Sequence, residues 1–394
     1  MKNSLIKREH DSIFQTYKRL PIVVDHAEGA RITDVEGNVY LDFLGGIAVN
    51  ALGHSHPKII EAINNQIKKY IHLSNYFYQE PQVLLAEKLK SISGYDRVFF
   101  SNSGTEANEG AIKLARRWGY DKEKTHIIGF TGGFHGRTYG TLSLMDKPLY
   151  KEKMGPFLPN MRMLQYNNIQ ALIGEINDFT CAIIIEFIQG EGGITSAENE
   201  FIDKIFDLKK KFGFLVIADE IQCGTGRTGK FFGFNHYDVS PDIVTMAKGI
   251  GGGLPLGAIL AKEELAKVWE KGMHGTTYGG NALACTTGLV VLEELDNGLM
   301  THVSETGHYF TNMLKRIQKE FPTLIYEVRG IGLMQGLLLS FDANELVNAL
   351  LEKKIITNAA SGKVLRLVPP LIITKDDVNE LIDTLRQCLN NFNK

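Results

Sequence analysis

Residues 214–253, FLVIADEIQCGTGRTGKFFGFNHYDVSPDIVTMAKGIGGG, hold two short apolar runs, 214–218 and 243–247, each bounded by turn-forming residues. Each run is followed by a charged residue, Asp219 after the first and Lys248 after the second. Runs of this length and composition read as buried strands. If the two are parallel neighbours in an α/β sheet, their carboxyl ends lie side by side at the edge where such sheets bind ligands. A carboxylate and an amine then face one crevice.

A lysine amine at an apolar strand end is costly to keep charged, so its pKa falls and it becomes available as a nucleophile toward an aldehyde. Pyridoxal phosphate is the aldehyde cofactor that suits such a pair, because its ring nitrogen must stay protonated and an adjacent aspartate keeps it so. A structural Asp-Lys ion pair reads this stretch equally well, and other segments must decide between the two. The run GTGRTG, with Gly224, Gly226 and Gly229, formally matches a dinucleotide fingerprint. That reading fails, because such a loop must open an amphipathic helix and KFFGFNHYDVSP has no helical period.

Working outward, RVFFSNSGTEANEGAIKLARRWG reads as a strand over 97–101 that turns directly into a helix running to about Trp118. Ser103 and Glu106 form a capping-box pattern, and Ala107, Ala111, Leu114 and Ala115 face inward. The N–H groups of that first turn, the helix dipole and the hydroxyls of Ser103 and Thr105 together offer a phosphate site. A capping box alone is common, so this segment gains its meaning from Asp219 and Lys248. HIIGFTGGFHGRT follows as a strand and a loop that carries Phe134, His135 and Arg137 to the same edge, where an aromatic ring can stack on a cofactor. CAIIIEFIQGEGG is a further buried strand, ending in Glu186, Gln189 and Glu191. Strands with polar ends separated by helices such as FIDKIFDLKKKFG predict an α/β fold with a mostly parallel, doubly wound sheet.

The flanks are different. Residues 1–40 alternate extended pieces with turns, with Glu36-Gly37-Asn38 as a hairpin-like turn. A Gly-rich loop then enters a helix that starts near Pro57 and carries Ile60, Ile63 and Ile67 at helical spacing. His54 and His56 lack a third ligand nearby and do not read as a metal site, so no metal is expected. LPLGAILAKEEL reads as an antiparallel or edge strand, and TTYGGNALAC as a loop entering a helix. From about Thr301 helices and strands alternate in a pattern that suits a separate α+β domain. The expected division is an N-terminal segment, 1–55, packing with a small domain; a large cofactor-binding domain, 56–290; and the small α+β domain, 291–394.

With 43 basic and 45 acidic residues in 394, the chain presents no balance suited to nucleic acid or another polyanion. Its four cysteines are far apart and are read as reduced, and no apolar stretch is long enough to span a bilayer. A cytoplasmic location with no membrane partner is the resulting expectation.

The segments SNSGTEANE, GGFHGRT, EFIQGEGG, DEIQCGTGRTG, MAKGIGGGLPLGA and TTYGGNALAC, in this order, resemble the class III, or ω-amino acid, branch of the pyridoxal-phosphate aminotransferases. The resemblance covers nearly the whole chain, and GGIAVNALGHSHP and LVPPLIIT are similar to the members that act on N2-acetylornithine. It implies a fold-type-I enzyme, a homodimer with shared active sites, pyridoxal 5′-phosphate as cofactor, and 2-oxoglutarate as the amino acceptor. The implied products are N-acetylglutamate 5-semialdehyde and glutamate, a step of arginine biosynthesis. By the same resemblance Lys248 carries the cofactor and Asp219 pairs with its ring nitrogen. Gln222 approaches the ring hydroxyl, Phe134 stacks on the ring, and His135 and Glu186 belong to the cofactor shell. Ser103, Gly104 and Thr105 hold the phosphate, joined by Thr277 from the other subunit. Arg137 and Arg366 bind substrate carboxylates, Glu191 switches Arg366 between donors, and Tyr17 contacts substrate. Phe187 and Ala282 depart from the family, which usually carries proline at both positions. The same motifs leave ornithine, succinylornithine and 4-aminobutyrate open as donors, and a non-catalytic cofactor-binding relative as the reading from another class. Ile47 speaks against ornithine, whose aminotransferases tend to carry a tyrosine near it.

Overall fold

The computed structural model describes residues 2–392. Its centre is a seven-stranded sheet of β1 (Arg97–Ser101), β2 (His126–Phe130), β3 (Met161–Leu164), β4 (Thr180–Ile185), β5 (Leu215–Asp219), β6 (Ile243–Met246) and β7 (Gly257–Ala261). The spatial order is β1-β7-β6-β5-β4-β2-β3. Every neighbouring pair is parallel except those made by β7, which runs antiparallel to both β6 and β1. The LPLGAILA segment is therefore antiparallel but interior, and β1 takes the edge.

Strand composition explains the layering. In β4, Ile183 and Ile185 enter one core cluster with Phe201 and Ile205 of helix Asn199–Phe212. Cys181, Ala182 and Ile184 enter another with Ala107, Ala111, Leu114 and Ala115 of helix Gly104–Tyr120. In β5, Val216 and Ala218 likewise face the first cluster, and Leu215 and Ile217 the second. Both faces are covered, so these strands read as continuous apolar runs and not as alternating ones. The doubly wound expectation holds, and the GTGRTG segment leads into a short 3₁₀ turn, Gly233–His236, instead of a helix.

Two further four-stranded sheets and a two-stranded ladder, Ile188–Gln189 with Thr195–Ser196, complete the chain. Val24–Glu28, Arg31–Asp34 and Val39–Asp42 form an antiparallel set, closed by parallel pairing of Ile355–Ile356 with Leu41 and Asp42. Ile325–Ile331, Met334–Leu339, Val364–Leu367 and Asn358–Ala360 form the other, antiparallel throughout. Helices Met300–Glu320, Ala343–Glu352 and Lys375–Phe392 alternate with its strands, their inward residues joining the same core cluster. Helix Lys2–Ser12 has no counterpart in the sequence reading, its mostly polar composition giving no apolar stripe to detect.

The helix over Pro57–Ile67 is present, but its apolar stripe is only partly used. Ile59 is buried, whereas Ile60 and Ile67 remain 45% and 43% exposed. Among the described residues no helix is long and apolar enough to cross a membrane. All four cysteines are free and buried.

Candidate active site

Strand direction collects the site. β1, β4, β5 and β6 run the same way, so Ser101, Ile185, Asp219 and Met246 end at one edge of the sheet. Beyond that edge lies a cavity of about 430 Å³, a size that suits a small cofactor with its substrate. Ser103, Gly104 and Thr105 line it from the start of the long helix, and Phe134, His135 and Arg137 from the loop after β2. Glu186, Asp219, Gln222 and Lys248 line it from the ends of β4, β5 and β6.

Asp219 is the last residue of β5 and is 2% exposed. Its Oδ2 accepts hydrogen bonds from Asn108 Nδ2 and His135 Nδ1, each at 2.8 Å, and its Oδ1 accepts from the Ile221 N–H at 3.1 Å. A carboxylate has about four acceptor sites. Three donors leave Oδ1 with capacity for one more, such as a protonated ring nitrogen in the cavity. Burial disfavours a charged His135, but the hydrogen bond and charge of Asp219, with Glu186 adding, outweigh it and hold its pKa above the ordinary value.

Asn108 escaped the sequence reading. It lies on the inward face of the helix, fully buried, where it also donates to the His135 carbonyl at 2.8 Å and accepts from Thr245 Oγ1 at 2.7 Å. A polar residue inside the Ala107/Ala111 stripe was the available signal, since a buried amide there needs partners.

Lys248 directly follows Ala247 beyond β6, with φ at 52°, and opens the 3₁₀ turn Lys248–Gly251. A left-handed lysine is strained, and such strain persists where the surrounding structure enforces it, most often at functional sites. Burial pushes its amine down to about 8; the Arg366 charge adds to this, and Glu191, Glu186 and Asp219 oppose it. Glu186 is raised to about 7 by burial and by the Asp219 charge, although its carboxylate accepts from the Phe134 and Gly190 N–H groups at 2.8 and 3.2 Å.

The opposite corner has the character of an anion cup. Ser103 caps the helix by accepting from the Glu106 N–H at 3.3 Å. The N–H groups of Gly104 and Thr105 belong to a first turn that offers them no helical carbonyl, so they are free to meet a phosphate. Gly136, at φ 133°, approaches so closely that a Cβ there would lie 2.1 Å from Thr105 Oγ1. Cup, ring-nitrogen acceptor and lowered lysine thus match the phosphate, the pyridine and the aldehyde of pyridoxal phosphate, and the residues fit the group.

Beside the cavity stands an ion pair. Arg366, 1% exposed in strand Val364–Leu367, meets Glu191 Oε1 at 2.5 Å, Asn358 Oδ1 at 3.0 Å and Gln222 Oε1 at 3.4 Å. Burial alone would raise the Glu191 pKa, but the Arg366 charge and hydrogen bond bring it below the ordinary value. Arg137 is exposed at the rim, its guanidinium 3.5 Å above the Tyr150 ring. Two expected residues are not brought to the cavity: Tyr17 is 73% exposed on the N-terminal segment, and Thr277 lies on an exposed loop. Its neighbour Thr276 does approach, accepting from Asn102 Nδ2 at 2.9 Å.

The profile of the family "Aminotransferase class-III" matches residues 13–389. The chain is 45% identical over 384 residues to the acetylornithine aminotransferase of Methanocaldococcus jannaschii, covering 96% of each protein. It is 44% identical to that of Caldanaerobacter subterraneus, covering 98% of this chain and 99% of the other. Among solved structures, an ornithine aminotransferase from Toxoplasma gondii, in which pyridoxal phosphate partly occupies the active site, superposes with a TM-score of 0.95 at 30% identity. That match covers 100% of this chain and 96% of the other. An acetylornithine aminotransferase from Elizabethkingia anophelis superposes with a TM-score of 0.89 at 34% identity, covering 99% of both chains. With matches of this length to sequence and structure alike, the chain belongs to the class III aminotransferases and is a pyridoxal-phosphate-dependent enzyme.

Proposed function

We propose that this aminotransferase moves the terminal amino group of N2-acetylornithine to 2-oxoglutarate, giving N-acetylglutamate 5-semialdehyde and glutamate. The observation that carries this reading is the Glu191–Arg366 pair next to Lys248 and Gln222. Acetylornithine offers a terminal amine with only methylenes beside it, whereas glutamate offers an amine beside a carboxylate. An arginine masked by a carboxylate suits the first, and the same arginine unmasked suits the second. The names of the relatives at 44–45% identity point the same way.

Pyridoxal phosphate, when bound, supplies the carbonyl through which amino groups are exchanged and the electron sink for the charge left when a carbon–hydrogen bond breaks. Ser103, Gly104 and Thr105 would hold its phosphate, Phe134 would cover the ring face, and Gln222 would approach the ring hydroxyl. Asp219 would keep the proton on the ring nitrogen, oriented by Asn108 and His135, with Glu186 completing this shell. Lys248 Nζ would tether the cofactor and, freed by the incoming amine, take the proton from the amine-bearing carbon of the substrate. A pKa near 8 keeps an appreciable fraction of that amine unprotonated around neutrality. Arg137, stacked on Tyr150, would bind the carboxylate at the far end of either donor.

The chain works as a homodimer in this reading. Tyr76, Phe77 and Tyr78 are 93%, 60% and 104% exposed, and Ile71 and Tyr278 are 61% exposed each, apolar surface of the kind a subunit interface would cover, which supports this reading. Thr277 lies within this surface, which supports its reaching the partner subunit's phosphate cup. Tyr17 would contact substrate from the N-terminal segment after assembly.

A panel of amino donors, each offered to the holoenzyme with 2-oxoglutarate and followed by product detection, tests the substrate. N2-acetylornithine should give the highest kcat/KM. A higher value for ornithine, the donor named for the Toxoplasma gondii relative, would replace this reading.

A further inference from the structure

Glu191 is held between two cations. While Oε1 engages Arg366, Oε2 lies 4.0 Å from Lys147 Nζ, and the Lys147 side chain is 30% exposed. Lys147 immediately precedes the 3₁₀ turn Pro148–Tyr150. The last residue of that turn, Tyr150, lies under Arg137, and the Lys147 amine sits 5.5 Å from the same ring. One short turn thus touches both arginines assigned to substrate carboxylates, Arg137 directly and Arg366 through Glu191.

A carboxylate that leaves Arg366 inside a largely buried site becomes an uncompensated charge, and such a charge is expensive without a new partner. At 4.0 Å the Lys147 amine barely pairs with Glu191 in the closed arrangement, and a rotation of the glutamate can shorten that distance. A partner favours one of two states only by binding it better, and Lys147 gains more from the released glutamate than from the shared one. We propose that Lys147 is a specificity-determining positioning residue: it receives the Glu191 carboxylate when a substrate carboxylate claims Arg366, and so favours the glutamate half-reaction over the acetylornithine half-reaction. This rests on the reading of Arg366 given above.

The test uses the holoenzyme with Lys147→Gln, Lys147→Arg and Arg366→Ala. Calorimetry measures the affinity of glutarate, a dicarboxylate of glutamate's length without an amine, and single-turnover absorbance measures each half-reaction. Lys147→Gln should weaken glutarate binding and raise the glutamate KM by about two- to fivefold, the worth of a partly exposed ion pair. The acetylornithine half-reaction should change by less than about 1.5-fold, below that range. Lys147→Arg should restore glutarate affinity. If Lys147→Gln binds glutarate as wild type does while Arg366→Ala loses it, the assignment to Lys147 is overturned and the reading of Arg366 stands. If Arg366→Ala also binds glutarate unchanged, both are wrong.

Discussion

Asp219 lines the cavity and Arg366 stands beside it, against Gln222; both are almost fully buried, but they are held differently. Asp219 is fixed by three donors, two of them from the helix and the loop packed on the same sheet, and its partners Asn108 and His135 are themselves tied together. Nothing there has a second position to go to. Arg366 comes from a different sheet, and its main partner, Glu191, has a second cation within reach at Lys147. A charge whose acceptors are all built in suits a group that must serve every turnover alike. A charge held by one exchangeable partner suits a group that must be present for one substrate and hidden from another.

The comparison predicts that changes at the fixed side harm both half-reactions equally, while changes at the exchangeable side separate them. Lys248→Ala should be the most damaging, lowering transamination by at least about a thousandfold with every donor, because it removes both tether and base. Circular dichroism should show the fold retained, and activity within tenfold of wild type would take Lys248 out of the centre of the site.

Asp219→Asn comes next. An amide cannot hold a proton on a ring nitrogen, and breaking a buried charge pair costs about 3 to 5 kcal/mol. Cofactor should stay bound, by its visible absorbance, while kcat falls by the same factor for acetylornithine and glutamate. Unequal losses would mean that Asp219 is not the fixed side.

Arg366→Ala should cost the glutamate half-reaction about 2 to 5 kcal/mol, the range for truncating one member of a buried charge pair. Single-turnover rates with acetylornithine should change far less, and equal losses with both donors would abolish the distinction drawn here. Glu191→Ala should act in reverse and more weakly, costing the acetylornithine half-reaction about 1 to 3 kcal/mol as the arginine is left unpaired, while glutamate is favoured. A loss confined to glutamate would contradict it.

The smallest effect is in pH. The folded pKa of Lys248 lies at about 8, below the ordinary 10.5. Between these values the unfolded chain binds more protons than the folded one, so apoprotein stability rises with pH across that window. The penalty is fully present below about 8. The neutral amine should likewise make reconstitution with pyridoxal phosphate faster as pH rises through about 8, followed by absorbance. A midpoint near 10.5 would show an amine that burial does not perturb. Because Arg366 is the second cause of the shift, Arg366→Ala should move the midpoint upward, which tests whether the two sides share one field.

Sequence alone carried the strands of the central sheet, the capped helix and the residues at their ends, because each is written in contiguous runs whose period and termini follow from local chemistry. Leu215–Asp219, Ile243–Met246 and Arg97–Ser101 appear within a residue of their expected limits, since an apolar run between turn residues has few other fates. Asp219 and Lys248 could be set side by side for the same reason: parallel strands align their ends. The pairing of Glu191 with Arg366 is another matter. It was implied only by likeness to a family, for 175 residues separate the two and no local pattern links β4 to strand Val364–Leu367. Asn108 behind Asp219, Asn358 on Arg366, Tyr150 under Arg137 and Lys147 beside Glu191 have no sequence signature stronger than a polar residue in an apolar stripe. Ile60 and Ile67 show the converse, an apolar stripe whose burial the single chain does not complete. Tertiary structure alone decided these contacts, because a buried charge takes whatever partner the packing of distant segments brings within about 4 Å, and that distance is a property of the fold and not of any segment.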